Sequence, residues 1–99
     1  MIELNSSQRK YLRKVGHHLD PLIIVGKQGL TDMLVRAVSE ALEHHELVKV
    51  RFNEFKDEKR ELTDELVRRT GSQVAGMIGH VTLLYKEQPD EEKRKINFP

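Results

Sequence analysis

The chain has 99 residues, enough for one domain with a modest core, and 33% of them are charged against 37% hydrophobic. A net charge of +1 argues by itself against a nucleic-acid partner, and the absence of cysteine excludes disulfides and zinc–thiolate sites. No apolar run approaches the roughly 20 residues of a membrane span, and the N-terminal MIELNSSQRK lacks the apolar core of a secretion signal. We therefore expect a cytoplasmic protein without a membrane partner.

The first predicted helix covers residues 6–18. Its apolar residues Tyr11, Leu12 and Val15 recur at helical spacing, and Asn5 with Gln8 three positions later is typical of a capping box. On a helical wheel the arc opposite these apolar residues is basic, so that one side of the helix packs and the other faces solvent. The four residues of this basic face are Arg9, Lys10, Arg13 and Lys14.

A short strand and a glycine loop follow the first helix. Asp20-Pro21 ends the helix, and the apolar segment LIIV at 22–25 predicts a strand covered on both faces. The next segment, VGKQGLT, places a glycine on either side of a lysine and a glutamine. Glycine lets the backbone approach a ligand closely, and lysine supplies a mobile cation. A candidate anion site is therefore the glycine loop, formed by Gly26, Lys27, Gln28 and Gly29.

A second helix and a second strand are predicted between residues 31 and 52. Thr31 is the expected N-cap, and the helix should end near His44-His45. In the segment ELVKVRF at 46–52 the period changes from 3.6 to 2, which predicts a half-buried strand with Lys49 and Arg51 on its outer row. The predicted apolar stripe of the helix consists of Met33, Leu34, Ala37, Val38, Ala41 and Leu42.

The remaining chain predicts a third helix and a closing hairpin. The helix should run from about 58 to 70 with Gly71 as its C-terminal cap, and two apolar segments join across Gly79-His80. The order α-β-α-β-α-β-β predicts an α/β fold, a two-layer-type sandwich with a four-stranded mixed sheet whose first two strands are parallel. We assign residues 1–86 to a single domain and residues 87–99 to a polar, loosely held tail.

The position of the glycine loop favours phosphate as its ligand. Free backbone N–H groups and the helix dipole attract anions where a loop leads into a helix N-terminus. Residues 1–31 carry a net charge of +3 and the rest of the chain −2, so the basic charge collects around the loop. The loop is too short for a triphosphate and lacks the third glycine of a dinucleotide fingerprint, whereas GxxG loops occur in RNA-binding modules that clamp nucleotide backbones.

Several passages match a known family. The segment VGKQGLTDMLVRAVSEALEHHELVKVRF, preceded by HHLDPLIIV and closed by GHVTLLYK, resembles the CRM domain (chloroplast RNA splicing and ribosome maturation), in particular its free-standing bacterial YhbY-like members. The resemblance spans roughly residues 5–86. It implies a fold similar to the C-terminal domain of translation initiation factor three, and RNA contacts by the glycine loop and the basic face. It also implies association with precursors of the large ribosomal subunit.

One position departs from the pattern of the family. Lys86 stands where we expect arginine in the closing strand, which weakens the expectation of a bidentate phosphate contact there.

The sequence shows no catalytic apparatus. It has no cysteine nucleophile, its serines lack a glycine elbow, and its acidic residues lie on predicted helix surfaces. Neighbouring histidines on a helix point about 100° apart, so neither His17-His18 nor His44-His45 forms a chelating pair. We expect a binding protein without cofactor, metal or small-molecule substrate.

An alternative function is a protein-interaction adaptor. It would use the tail or the acidic face of the second helix, where Glu40 and Glu43 lie. RNA affinity falls steeply with salt, whereas an apolar protein interface barely responds, so salt dependence separates the two functions.

Overall fold

The structure is a computed structural model that describes residues 2–99. These residues form three α-helices, α1 (Ser6–Gly16), α2 (Asp32–His45) and α3 (Lys59–Thr70). The strands are β1 (Ile23–Val25), β2 (Leu47–Phe52), β3 (Gln73–Ile78) and β4 (Val81–Tyr85), and short 3-10 turns cover Lys56–Glu58 and Glu91–Lys93. Within the described residues, no helix combines the length and the apolar character needed to cross a membrane.

The four strands form one mixed sheet in the order β1-β2-β4-β3. Strand β1 is parallel to β2, and the other neighbouring pairs are antiparallel. The tight connection between β3 and β4 turns at Gly79, whose φ of +57° glycine adopts without strain. The predicted α/β class, the order of elements and the mixed sheet are confirmed.

Local signals at the helix ends also behave as predicted. The Asn5 side chain accepts the N–H of Gln8 at 2.8 Å, and the Gln8 side chain accepts the N–H of Asn5 at 3.0 Å, which completes the capping box. Thr31 Oγ1 caps α2 by accepting the N–H of Leu34 at 3.0 Å. Gly71 ends α3 with a left-handed φ of +69°.

Helices α2 and α3 cover one face of the sheet and build the larger core. Leu42 of α2 and Leu66 of α3 pack against the alternating residues of the strands. Because side chains alternate along a strand, Val48, Val50 and Phe52 all point to this face, and all three are fully buried. This face is therefore a continuous apolar layer.

Helix α1 lies on the opposite face, over a second, smaller core that includes Leu12, Leu83 and Tyr85. The helix approaches the sheet closely at Gly16, where a Cβ atom would lie 2.7 Å from the methyl carbons of Leu83. A larger residue at this position would force the Leu83 side chain to shift, so glycine allows the close approach of helix and sheet. With helices on both faces, the layering exceeds the predicted two-layer-type sandwich, because the sheet forms a middle layer.

The prediction that β1 is covered on both faces is wrong. Val25 is buried, but Leu22 and Ile24 are each 54% exposed. Strand β1 forms an edge of the sheet, and α1 packs on β2 and β3 instead. A helix covers only the strands over which it lies, so the α1 side of β1 remains open.

The apolar stripe of α2 is rotated relative to the prediction. Met33 is 81% exposed, whereas Val35, which lies outside the predicted stripe, is buried. Val38 and Leu42 are buried as predicted. Met33 lies in the first turn of α2, on the side turned away from the sheet.

The C-terminal segment is held firmly, in contrast to the predicted loose tail. Glu46 is 1% exposed, and its carboxylate accepts the N–H groups of Gln88 at 2.8 Å and Ile96 at 2.9 Å, as well as that of Lys95. The Phe98 ring packs edge-on against Tyr85, with the ring centroids 5.8 Å apart. The segment thus completes the cover of the smaller core.

Candidate nucleic-acid interface

The glycine loop is a tight turn between β1 and α2. The N–H of Gly29 donates to the carbonyl oxygen of Gly26 at 3.0 Å, and Gly29 has a left-handed φ of +67°. Apart from its chain neighbours, no atom of the described residues lies within 4 Å of the place where a Cβ of Gly26 would be. Lys27 and Gln28 form the exposed tip. The turn therefore offers an open backbone surface at Gly26 and a free-standing cation beside it.

The first turn of α2 follows the glycine loop directly. Its leading N–H groups have no partner within the helix, and the positive end of the helix dipole points toward the loop. The one carboxylate in this turn, Asp32, is paired with Arg69 of α3 at 2.7 Å. This ion pair offsets the negative charge closest to the turn, which leaves the turn able to attract an anion.

An acidic basin of about 610 Å³ borders the glycine loop on one side. Lys27 and Lys56 contribute to its walls, but so do the carboxylates of Glu54, Asp57 and Glu58. Three negative charges outweigh two positive ones, so a phosphate chain that entered the basin would be repelled.

Phe55 supports the loop from this basin, although the sequence pattern does not identify it as a site residue. Its φ of +56° is unusual for a bulky residue, and its ring is 42% exposed. The ring lies against Gly29, because a Cβ on that glycine would come within 3.5 Å of Cε2 of Phe55. A single aromatic residue in the polar stretch NEFKDEKR was the only available signal.

The structure divides the basic face of α1 into two pairs. Lys10 and Lys14 are exposed. Arg9 is half-buried and turns back on its own chain, where its guanidinium donates to the carbonyl oxygen of Leu4 at 2.7 Å. Lys10 and Lys14 thus face solvent without an internal contact among the described residues, whereas Arg9 is engaged locally.

Arg13 lies across strand β3. A Cβ atom on Gly76 would lie 2.7 Å from Cδ of Arg13, so the stem of the arginine occupies the space that glycine leaves. Nη1 of Arg13 approaches the carbonyl oxygen of Ala75 at 3.4 Å, while the residue as a whole remains exposed. Arg13 therefore joins the helix to the sheet and still offers its charge to a ligand.

The glycine loop and the basic face lie toward opposite edges of the sheet. The loop follows β1, whereas Arg13 contacts β3, and these are the two edge strands. With neighbouring strands about 4.8 Å apart, the two parts are separated by roughly 14 Å across the sheet.

An uncovered row of side chains crosses the sheet between these two parts. Ile24 pairs with Arg51, Arg51 with Val81, and Val81 with Ile78, so the four residues form one line across all four strands. Ile24 is 54% exposed, Ile78 is 66% exposed and Arg51 is exposed as well. This line, the open row, lies on the α1 face, beyond the residues that α1 covers.

Two further predicted features take part in internal contacts. The Lys86 amine donates to the carbonyl oxygen of Thr70 at 2.9 Å, at the C-terminal end of α3. The rings of His17 and His18 contact each other edge-to-face, with centroids 5.3 Å apart. Among residues 2–99, no group of three or more His, Cys, Asp and Glu side chains is arranged to hold a metal ion.

Comparison with known proteins identifies the class to which this α/β fold and its glycine loop belong. The family model of the CRS1 / YhbY (CRM) domain matches residues 4–86. The chain therefore belongs to the CRS1 / YhbY (CRM) domain family.

Relatives of nearly the same length carry related names. The probable RNA-binding protein YqeI of Bacillus subtilis is 36% identical, and the match covers 97% of this chain and 99% of the relative. An RNA-binding protein of Haemophilus influenzae is 35% identical, with 100% and 98% covered. The solution structure of a Staphylococcus aureus protein, described as a candidate RNA-binding protein, superposes with a TM-score of 0.80 at 32% identity and covers 98% of this chain and 100% of its own.

Proposed function

We propose that this protein binds RNA, and that its target is ribosomal RNA in precursors of the large ribosomal subunit. The observation that carries the proposal is the glycine loop, where Lys27 stands on an open turn at the N-terminal end of α2. Such a turn binds a phosphate through backbone N–H groups, the helix dipole and the lysine amine. Membership of the CRM family and the names of the relatives support RNA as the source of that phosphate.

The basic face of α1 supplies the second contact in this proposal. Lys10 and Lys14 are exposed, and Arg13 retains an exposed charge. Contacts of this kind position a nucleic acid through its phosphates and contribute no sequence preference. The function proposed for the chain is binding, and it assigns no catalytic role to any residue.

Substitutions in the glycine loop test separately how the lysine charge and the open backbone at Gly26 contribute to RNA affinity. Lys27→Ala should weaken RNA binding and reduce the salt slope by about 0.7, the contribution of one phosphate on a single strand. Gly26→Asp should weaken binding more, because it adds a side chain and a like charge in the open space beside the turn. Gly26 suits this test better than Gly29, whose left-handed φ makes every replacement strained.

The matched control is Lys93→Ala, which removes an exposed lysine from the C-terminal segment. Binding is measured by fluorescence anisotropy across a salt series, and circular dichroism checks the fold of each variant. Loop variants that bind like the control would show that the loop is only a turn.

Charge reversal on α1 tests the second contact. Arg13→Glu with Lys14→Glu should abolish RNA binding, because reversal removes attraction and adds repulsion. Since Arg13 also packs on Gly76, Lys10→Glu with Lys14→Glu serves as the matched variant that leaves this contact in place. Unchanged affinity of both double variants at low salt would place the contact elsewhere.

The ribosomal target is tested by sedimentation of cell extracts at low and high salt. The protein should migrate with precursors of the large subunit at low salt and leave them at high salt. Retention on a protein partner at high salt would favour the adaptor function through Glu40 and Glu43, which are both exposed.

A further inference from the structure

We propose that the open row, Ile24, Arg51, Val81 and Ile78, is a binding surface for unpaired nucleotides of the RNA. This inference rests on the proposed RNA-binding function and adds the kind of RNA that the site selects. It assigns a role to residues outside both the glycine loop and the basic face.

The row is uncovered because α1 crosses the sheet near the adjacent pair Lys49 and Leu83, farther from the end that carries the glycine loop. The segment around α1 starts over β3, where the N–H of Leu4 contacts the Gln73 side chain at 2.8 Å, and Gly16 then packs on Leu83 of β4. It leaves over β2, where the Lys49 amine donates to the carbonyl oxygen of Leu19 at 2.9 Å. Lys49 and Leu83 are paired across the strands, and Arg51 and Val81 form the next pair on this face.

The row also lies at the same end of the sheet as the glycine loop. Ile24 is two residues before Gly26, and Ile78 directly precedes the turn between β3 and β4. The row thus connects the edge that carries the loop with the edge at which Arg13 lies. The direct path across the sheet for a strand of RNA that contacts both parts of the proposed site runs along this row.

Charge favours this path over the other side of the loop. A groove of about 140 Å³ adjoins the row, with Arg13, His17 and Lys49 in its walls, and none of its described lining residues carries a carboxylate. Arg51 is exposed in the row and forms no ion pair within residues 2–99. The acidic basin beside the loop shares no lining residue with this groove. The RNA backbone is therefore attracted toward the row and repelled from the basin.

The side chains of the row select unpaired nucleotides. Ile24 and Ile78 present broad apolar groups to solvent, and an exposed apolar surface gains most by contact with another apolar surface. A duplex presents phosphates and sugars outward and hides the faces of its bases, whereas unpaired bases can lie flat on side chains. The Arg51 guanidinium is planar and stacks on bases as well as binding phosphate.

The experiment compares a single-stranded RNA of about 12 nucleotides with the duplex of the same sequence. The parent protein should bind the single strand more tightly. Ile24→Ser with Ile78→Ser should weaken binding of the single strand about tenfold and change binding of the duplex less than about twofold. Leu22→Ser, which alters an apolar side chain as exposed as Ile24 but outside the open row, should change neither.

A fluorescent reporter tests contact with bases directly. The chain has no tryptophan, so Ile78→Trp introduces a single indole into the row. Its emission should be quenched on titration with the single strand, because a base stacks on the ring. His44→Trp, about 18 Å along α2 from its N-terminal end, is the matched control and should respond little.

The outcomes separate this inference from the proposed function. If the serine variants bind both RNAs like the parent while Lys27→Ala and Gly26→Asp bind more weakly, the row is not a binding surface. The proposed function would then still stand. If the parent binds neither RNA at low salt, the proposed function fails as well. If sedimentation shows a parental dimer that the serine variants dissociate, a second copy of the chain covers the row, and the inference is overturned.

Discussion

The two faces of the sheet differ in how completely they are covered. On the face of α2 and α3, the inward residues of β1, β2 and β4 are buried from Val25 to Leu84. On the face of α1, one short helix and the C-terminal segment cover Leu83 and Tyr85 but leave the open row in contact with water. The first face therefore determines stability, and the second combines a smaller contribution to stability with the surface available for a ligand. Substitutions should divide accordingly, with the largest losses of stability on the first face.

Leu42→Ala should have the largest effect on stability. Leu42 is 1% exposed and lies in the core between α2 and the sheet. Truncation should lower the free energy of unfolding by about 2–5 kcal/mol, because the lost apolar contacts are joined by the cost of a cavity. Chemical denaturation measures the change. A loss below 1 kcal/mol, the order expected of an exposed site, would show that the helix is rotated differently.

Glu46→Gln should weaken the attachment of the C-terminal segment, which helps α1 to cover its face of the sheet. The carboxylate accepts N–H groups from three residues of the C-terminal segment, and an amide would replace one acceptor oxygen by a donor. The free energy of unfolding should fall by about 2–3 kcal/mol, since hydrogen bonds to a charged group are lost and buried donors remain unpaired. Limited proteolysis should then cut the segment after residue 86 faster.

The control for this variant is Glu43→Gln, an exposed glutamate one turn earlier. It should leave both stability and proteolysis unchanged. Equal proteolysis of parent and Glu46→Gln would mean that the remaining contacts of the segment, among them Phe98 on Tyr85 and Gln88 on the carbonyl oxygen of Glu43, are enough to hold it.

High pH should destabilise the same face through Tyr85. Burial, with the nearby carboxylates of Glu46 and Glu87, raises the pKa of the Tyr85 phenol to about 12, against 10.0 for an ordinary tyrosine. The folded state therefore holds this proton more tightly than the unfolded state. The stability that the protonated phenol contributes is complete below pH 10. As the pH rises from about 10 to 12, this contribution is lost and the free energy of unfolding falls by roughly 2–3 kcal/mol.

Tyr85→Phe isolates this effect from other groups that titrate in the same range. Denaturation of the parent and of the variant at pH 9 and at pH 12 gives the difference directly. The variant should lose less stability than the parent over this interval. Identical losses would indicate that the phenol is open to water in solution.

The order and type of the elements could be predicted from the sequence because each depends on local patterns. The Asn5–Gln8 capping box, the Thr31 cap and the alternation in β2 all involve residues within a few positions of each other. Such signals depend only on neighbouring residues, and the tertiary structure agrees with them here.

The errors concern contacts between distant segments. The apolar pattern of β1 shows which residues favour burial, but whether Ile24 is buried depends on the route of α1 over other strands. The partners of Glu46 lie 42 to 50 residues along the chain, so its position after two histidines gave no sign of burial. The open row likewise joins residues from four strands and becomes visible only when the register is known.

The smallest expected effect sharpens the contrast between the two faces within a single strand. Ile24 and Val25 are neighbours in β1 and point to opposite faces, with exposures of 54% and 0%. Val25→Ala should lower the free energy of unfolding by about 1.5–3 kcal/mol, whereas Ile24→Ala should change it by less than about 0.5 kcal/mol. Ile24, although the larger residue, should thus contribute less to the free energy of unfolding, because water already reaches its side chain. Denaturation of both variants at several protein concentrations tests this. A loss at Ile24 as large as that at Val25, and dependent on concentration, would show that the open row is covered by a second copy, and the two faces would then be equally buried.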